Sequence, residues 1–400
     1  MKAVVIGTGR IGCGLIGQLL RSSGYDVAFV ARNLRTLKCL NDARRYRVRL
    51  VIGTESKEII VDGIRAVSAA DVSCVAEEIA EADLIATAVG PTNLPGIAPL
   101  IAAGLRLRSA PLNIIAFENL HNAGPYLRTL VANHLPPDFP MGQYGFSGAV
   151  VMRVVSRREI DLSKNEPLIF VGDPPTTFVV EGNLLRHPLP AVEGMVLTDN
   201  YTAWVQRKLF IFNAAHAICA YLGYLKGYHY IHAAIRDKEI RAAVFGAMVE
   251  AQRGIEASYG SKLAGDKTDL RQILIRFENA ALNDSVIRVG REPRRKLGVE
   301  DRLVGAARLA EKAGVCPEKL ALGVAAALQF CDPADPMSVE FQSEIDQFGL
   351  DFVLGQTSGI DCRSSLGRLI INASNQLENS WQQDNLLLSL NQMLWAWYRP

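Results

Sequence analysis

The feature that most constrains this chain is a short apolar run that breaks into a glycine cluster and resumes as a helical pattern. Ala3-Val4-Val5-Ile6 leads into Gly7-Thr8-Gly9-Arg10-Ile11-Gly12, a helical pattern follows to about Ser22, and a second apolar run, Val27 to Val30, follows a turn at Gly24. Strand, glycine turn, helix and strand in that order open a parallel βαβ unit. Gly7 permits the tight turn, Gly9 lets backbone approach a pyrophosphate, and Gly12 lets helix pack on strand. The helix amino terminus then offers free N–H groups to phosphates.

The end of the second strand selects among dinucleotides. A carboxylate there would hold a ribose 2′-hydroxyl. This chain instead reads Phe29-Val30-Ala31-Arg32-Asn33, without one. Arg32 is placed to meet a 2′-phosphate, which favours NADP(H) and leaves NAD(H) possible. Further strands are expected at Leu84 to Val89, running into Gly90-Pro91, and at Asn113 to Phe117, running into Glu118-Asn119. Ligands bind at strand carboxyl ends in open parallel sheets. The expected cofactor residues are therefore Gly7, Gly9, Arg10, Ile11, Gly12, Arg32, Asn33, Val89 and Gly90. Asn119 sits at such an end with both a donor and an acceptor, and taken alone it reads more readily as a turn residue than as a catalytic one.

At 400 residues the chain exceeds one comfortable core. Prolines 174, 175, 188 and 190 cluster ahead of Gly194, which places a boundary near 195. The fold expected is α/β: a Rossmann-type doubly wound sheet domain over 1–195, then a mainly α-helical domain over 196–400. A net charge of +2 gives no bulk attraction to nucleic acid or membrane, so the partner expected is a small molecule, with the chain a monomer or small homo-oligomer. The seven cysteines are scattered with no zinc-ligand spacing, which suggests reduced thiols in a cytoplasmic protein and no metal. Neither the amino terminus nor the apolar stretch Leu209 to Leu225, interrupted by Asn213 and His216, matches a signal peptide or membrane span.

The helix expected over Tyr201 to Leu225 carries Lys208, Asn213 and His216 among apolar neighbours. At about 100° per residue these project at roughly 0°, 140° and 80°. A helix apolar all round is normally buried, so its polar groups must find partners or line a cavity. Burial would lower the Lys208 pKa toward the range of a general base. A plainer reading puts Lys208 on a solvated edge and makes His216 a hydrogen-bonded core histidine. Farther on, Arg288, Arg291, Arg294, Arg295 and Lys296 stand against Glu292 alone. Guanidinium forks suit phosphate, although such a run also suits a solvated face.

Taken together, Gly7 to Gly17, Thr87 to Pro91, Glu118-Asn119, Leu197 to Asn200, the Lys208/Asn213/His216 spacing and Arg276 to Leu297 resemble the mannitol dehydrogenase family of long-chain polyol dehydrogenases. The resemblance implies metal-independent catalysis, with Lys208 as acid/base, Asn119 and Asn213 on the reacting oxygen, and His216 orienting substrate. In the phosphate-using branch of the family, Arg288, Arg295 and Lys296 are matched as substrate-binding residues. Two departures stand out: Ala31-Arg32 replaces the usual aspartate, and Val151-Met152-Arg153 replaces a Val-Asp-Arg triplet whose aspartate contacts substrate hydroxyls. The function implied is hydride transfer between NAD(P) and a polyol phosphate or ketose phosphate. The alternatives are an unphosphorylated polyol or sugar conjugate as substrate, and an NADP(H)-sensing regulator without turnover.

Overall fold

The computed structural model describes residues 1–160 and 168–379. The chain divides into two compact units between Val205 and Gln206.

The first unit contains twelve strands among the described residues: β1 (Lys2–Ile6), β2 (Asp26–Ala31), β3 (Arg45–Ile52), β4 (Glu55–Asp62), β5 (Ile64–Ser68), β6 (Leu84–Thr87), β7 (Leu112–Ala116), β8 (Tyr144–Val151), β9 (Val155–Ile160), β10 (Leu168–Gly172), β11 (Phe178–Glu181) and β12 (Met195–Thr198). Eight of them form one sheet, in the order β12-β11-β8-β7-β6-β1-β2-β5. From β5 through β8 every pairing is parallel. Read from that edge, the six strands reproduce the doubly wound order 3-2-1-4-5-6, whose switch point lies between β1 and β6. Along β1, Ala3 and Val5 enter one apolar layer while Val4 and Ile6 enter the other. That period-two alternation buries both faces, as a parallel sheet under helices requires.

Helices α1 (Gln18–Ser22), α2 (Leu34–Ala43), α3 (Val72–Ala80), α4 (Leu94–Arg106) and α5 (Ala123–Ala132) connect the parallel strands. The entry to α1 is a π-helical turn over Gly12–Gly17. A smaller sheet, β4-β3-β10-β9, stands beside the large one in this unit. Its β3–β4 hairpin is antiparallel and turns at Gly53, where φ is +55°.

The second unit is helical. The segment Tyr201–Leu225, which begins in the last residues of the first unit, runs as α6 (Tyr201–Arg207), a π-turn over Lys208–Asn213, and α7 (Ala214–Leu225). By length and composition this helix could cross a membrane, yet 67% of its most apolar stretch is buried inside the protein. Nearly all of α7 is core, packed with residues of Lys238–Tyr259, Val304–Lys312 and Glu318–Leu328. Residues 380–400 of the expected helical domain lie outside the described residues.

Candidate active site

The glycine cluster folds as its spacing requires. Gly7 has φ +115°, and a Cβ there would meet the Ala88 carbonyl oxygen at 2.4 Å. A Cβ on Gly12 would lie 2.0 Å from the Gly7 oxygen. At Gly9 the nearest atom to such a carbon is 4.0 Å away. The first two glycines are thus required by the turn itself, whereas Gly9 leaves space for a ligand.

That space is a cavity of about 640 Å³ at the carboxyl ends of β1, β2 and β6. Gly7, Gly9, Arg32, Asn33 and Val89 all line it, so the structure gathers five of the nine expected cofactor residues around one cavity. The other four frame it. Arg10 donates from Nη1 to the Ser156 carbonyl at 3.0 Å. Ile11 packs against the core, and Gly12 is buried under the turn. Gly90, at φ +89°, is held from behind by Glu118. An open glycine backbone, a helix start and a volume of this size fit a dinucleotide.

Glu118 is the first important residue to which sequence reasoning gave no role. Its buried carboxylate accepts from the Val89 N–H at 2.9 Å, the Gly90 N–H at 2.8 Å and the Thr87 hydroxyl at 3.1 Å. It therefore clamps the end of β6 where that strand meets the cavity. Asn93 extends the network, donating to the Val89 carbonyl at 2.8 Å and accepting from Arg32 at 3.4 Å. A carboxylate two residues beyond a fully buried strand was the available signal. Asn119, the next residue, is exposed in the bend that follows.

In the second unit the π-turn corrects the expected helical projection. The Ala214 N–H reaches the Leu209 carbonyl, an i to i+5 closure. Residues five apart in an α-helix project roughly 140° from one another, but in a π-turn the fifth residue closes the ring. Lys208 and Asn213, first and last of the turn, are thereby drawn toward one face. Burial first, and then the charges of Arg302 and Arg276, together lower the Lys208 ammonium pKa to about 8.

His216, in the first turn of α7, is anchored on two sides. Its Nε2 lies 3.1 Å from Oδ2 of Asp284, and its ring stacks on Phe277 at 4.9 Å between centroids. Burial alone would raise the Asp284 carboxyl pKa, but hydrogen bonding and charge from His216 and Arg288 hold it below the ordinary range. A carboxylate only accepts, so Nε2 carries the hydrogen in this contact, and in the neutral form of a ring so held Nδ1 is the acceptor.

The basic segment departs from its expectation as an uncommitted cationic run. Arg288 is spent on Asp284 through Nε at 2.7 Å and also through Nη2. Arg295 pairs with Glu292 at 2.6 Å and faces Asp301 at 3.7 Å, and Arg294 pairs with Glu344. Lys296 is buried, donating to the carbonyls of Val289 (2.7 Å) and Arg291. Burial and the charges of Arg302 and Arg295 lower its pKa to about 7. Of Arg288, Arg295 and Lys296, only Arg295 presents a largely exposed side chain. The acids that balance the run come mostly from outside it, so charge within the window overstated its field. Arg302, which sequence reasoning passed over, is buried, with its Nε on Asp301 at 2.8 Å and its Nη2 without a partner among the described residues.

Comparison with known proteins bears on both units. The mannitol dehydrogenase Rossmann domain matches residues 1–194, and the mannitol dehydrogenase C-terminal domain matches residues 200–352. Mannitol-1-phosphate 5-dehydrogenase of Brevibacillus brevis is 37% identical over 385 residues, covering 94% of this chain and 98% of the relative. Among solved structures, mannitol 2-dehydrogenase of Pseudomonas fluorescens, in ternary complex with NAD and D-mannitol, superposes with a TM-score of 0.75 at 16% identity, covering 98% of this chain and 94% of that one. D-sorbitol dehydrogenase in substrate-free form gives a TM-score of 0.77 at 15% identity, covering 95% and 93% respectively. At such identities the two structures establish the fold alone.

Proposed function

We propose that this chain, which belongs to the mannitol dehydrogenase family, interconverts a polyol phosphate and a ketose phosphate of the mannitol 1-phosphate and fructose 6-phosphate type. In this reading residues 1–195 carry a nicotinamide dinucleotide and residues 196–400 carry the proton chemistry. Gly7, Gly9 and Gly12, with Arg10 and Ile11 at the helix start, hold the pyrophosphate. Val89 and Gly90, braced by Glu118, border the path of the dinucleotide, and Arg32 with Asn33 holds its adenosine end, favouring NADP(H). When bound, the nicotinamide supplies or accepts the hydride.

Lys208 handles the proton. With a pKa of about 8, its amine is partly neutral near physiological pH and can take the proton of a secondary hydroxyl during oxidation. Protonated, it returns that proton to the carbonyl oxygen during reduction. Asn213, from the same π-turn, donates a hydrogen bond to the oxygen as charge develops there, and Asn119 is proposed in the same role. His216, with its tautomer set by Asp284, orients a substrate hydroxyl. Arg295 and the unpartnered Nη2 of Arg302 are the proposed phosphate contacts, while Arg288 and Lys296 hold the segment in shape.

The observation that carries this reading is Lys208, half-buried and with its ammonium pKa lowered to about 8, on a π-turn that also carries Asn213. A panel of ketose phosphates, ketoses and their polyols, assayed in parallel with NADPH and NADH, tests it. Turnover of fructose 6-phosphate well above that of fructose supports the phosphorylated substrate. The ion pairing of the basic run favours one second reading, an unphosphorylated polyol, and the reverse preference would establish it.

A further inference from the structure

We propose that Arg158 and Arg32 form a two-armed receptor for the 2′-phosphate of a dinucleotide, which makes the cavity in the first unit selective for NADP(H). The inference rests on the dinucleotide reading of that cavity and adds a residue 126 positions from Arg32, on a different sheet.

Arg158 lies on β9, opposite Phe170 of β10. Its half-buried side chain reaches the cavity and lines it together with Arg32 and Asn33. Nη2 of Arg158 donates to the Thr36 hydroxyl at 3.0 Å. Thr36 in turn bonds the Asn33 side-chain oxygen through its N–H (3.0 Å) and through its hydroxyl (3.3 Å). Asn33 is the N-cap of α2. The guanidinium of Arg158 is thus tied to the turn that begins beside Arg32, two hydrogen bonds away.

The charges at this end of the cavity are one-sided. Two guanidiniums line it, and among the described residues no carboxylate does. Arg158 is bonded to a neutral hydroxyl, and among the described residues it has no carboxylate partner. A half-buried cation calls for an anion, and the anion that distinguishes the two dinucleotides is the 2′-phosphate. Guanidinium forks match its oxygens, and the start of α2 adds the positive end of a helix dipole.

The test uses the full chain and two adenosine fragments, 2′,5′-ADP and 5′-AMP, titrated calorimetrically. Wild-type protein is expected to bind 2′,5′-ADP at least about tenfold more tightly than 5′-AMP. Arg158→Gln should weaken 2′,5′-ADP by about tenfold, the loss of one charge-assisted contact, and leave 5′-AMP unchanged. The kcat/KM ratio of NADPH to NADH should fall by the same factor. Arg32→Gln should do likewise, and Arg158→Lys should recover part of the loss. Equal weakening of both fragments in Arg158→Gln, or a variant that fails to fold while Arg32→Gln leaves the ratio untouched, would make Arg158 a structural residue and overturn the proposal. Equal binding of both fragments by the wild type would overturn it while leaving the dinucleotide reading intact. Failure to bind NADPH or NADH at all would remove that reading as well.

Discussion

The imidazole of His216 and the carboxylate of Asp284 meet at 3.1 Å, Nε2 to Oδ2, and Arg288 occupies the other carboxylate oxygen. A side chain on α7 and one in the turn before Val286–Gly290 are locked by a charge that only 6% exposure leaves to solvent. Removing one member of a buried pair leaves the other uncompensated, which costs about 3–5 kcal/mol.

Asp284→Asn is therefore expected to lower stability by about 3 kcal/mol at neutral pH, read as a fall in the urea midpoint without a change in slope. The folded carboxyl is held below its ordinary value of 3.8, so the stabilisation is present above that pH and is lost as pH falls through the lower folded value. Wild type and variant should accordingly converge in acid. A constant gap down to pH 2.5 would show that the charge of Asp284 contributes nothing.

Lys208 gives the sharpest kinetic expectation. Lys208→Ala should cut kcat by about 10²–10⁴ in both directions and leave NADPH affinity nearly unchanged. Because the pKa is lowered to about 8, wild-type oxidation should rise with pH through about 8 and reduction should fall over the same window. Arg302 contributes to that lowering. A phosphate neutralising Arg302 would therefore raise the apparent pKa in kcat above that in kcat/KM, and an unphosphorylated substrate would not. Retained turnover in Lys208→Ala would end the assignment.

Gly9→Ala and Gly12→Ala separate binding from folding. The added methyl at Gly12 meets a carbonyl oxygen at 2.0 Å and should lower Tm measurably, because overpacking costs about 1–3 kcal/mol. At Gly9 the methyl comes no nearer than 4.0 Å to its closest neighbour, the Ala88 carbonyl oxygen, so Tm should hold while affinity for both dinucleotides drops. A Gly9→Ala protein that binds NADPH normally would show that the pyrophosphate does not approach there.

Glu118→Gln keeps the shape of the side chain and replaces one acceptor oxygen with a donor that faces a backbone N–H. One of Val89 and Gly90 then loses its partner, at a cost of about 1–3 kcal/mol. The end of β6 should loosen, weakening NADPH binding by about tenfold or more while chemistry at saturation is largely kept. Fluorescence titration with NADPH against kcat at saturating cofactor distinguishes this from a general loss of activity.

Much of the first unit was legible because parallel strands buried on both faces write themselves as apolar runs, and glycines mark the turn at β1. The Lys208 helix was legible for a related reason, since few residues in it are polar. The π-turn left no mark in periodicity, because a one-residue change in hydrogen-bond register does not alter which residues are apolar. The β3–β4 hairpin did leave one: Arg45-Tyr46-Arg47-Val48-Arg49-Leu50 alternates with period two. The partners of the basic run were invisible for a geometric reason. Glu344 lies some fifty residues beyond Arg294, and only tertiary packing brings the two together.

Charge reversal at Arg295 tests whether the substrate is phosphorylated, and Lys296 cannot serve in its place. A carboxylate at position 296 would face two backbone carbonyl oxygens in a buried setting and would unfold the segment whatever the substrate. Arg295 is 46% exposed and makes only surface ion pairs, which are worth about 0–1 kcal/mol. Arg295→Glu should leave Tm within a degree or two of wild type. If a phosphate docks there, reversing the charge should raise KM for a sugar phosphate more than about tenfold, since like charges now meet. The rise should shrink with added salt as the repulsion is screened, and KM for an unphosphorylated polyol should stay constant. An unchanged KM for the sugar phosphate would remove Arg295 from the substrate site and shift the balance to the unphosphorylated reading.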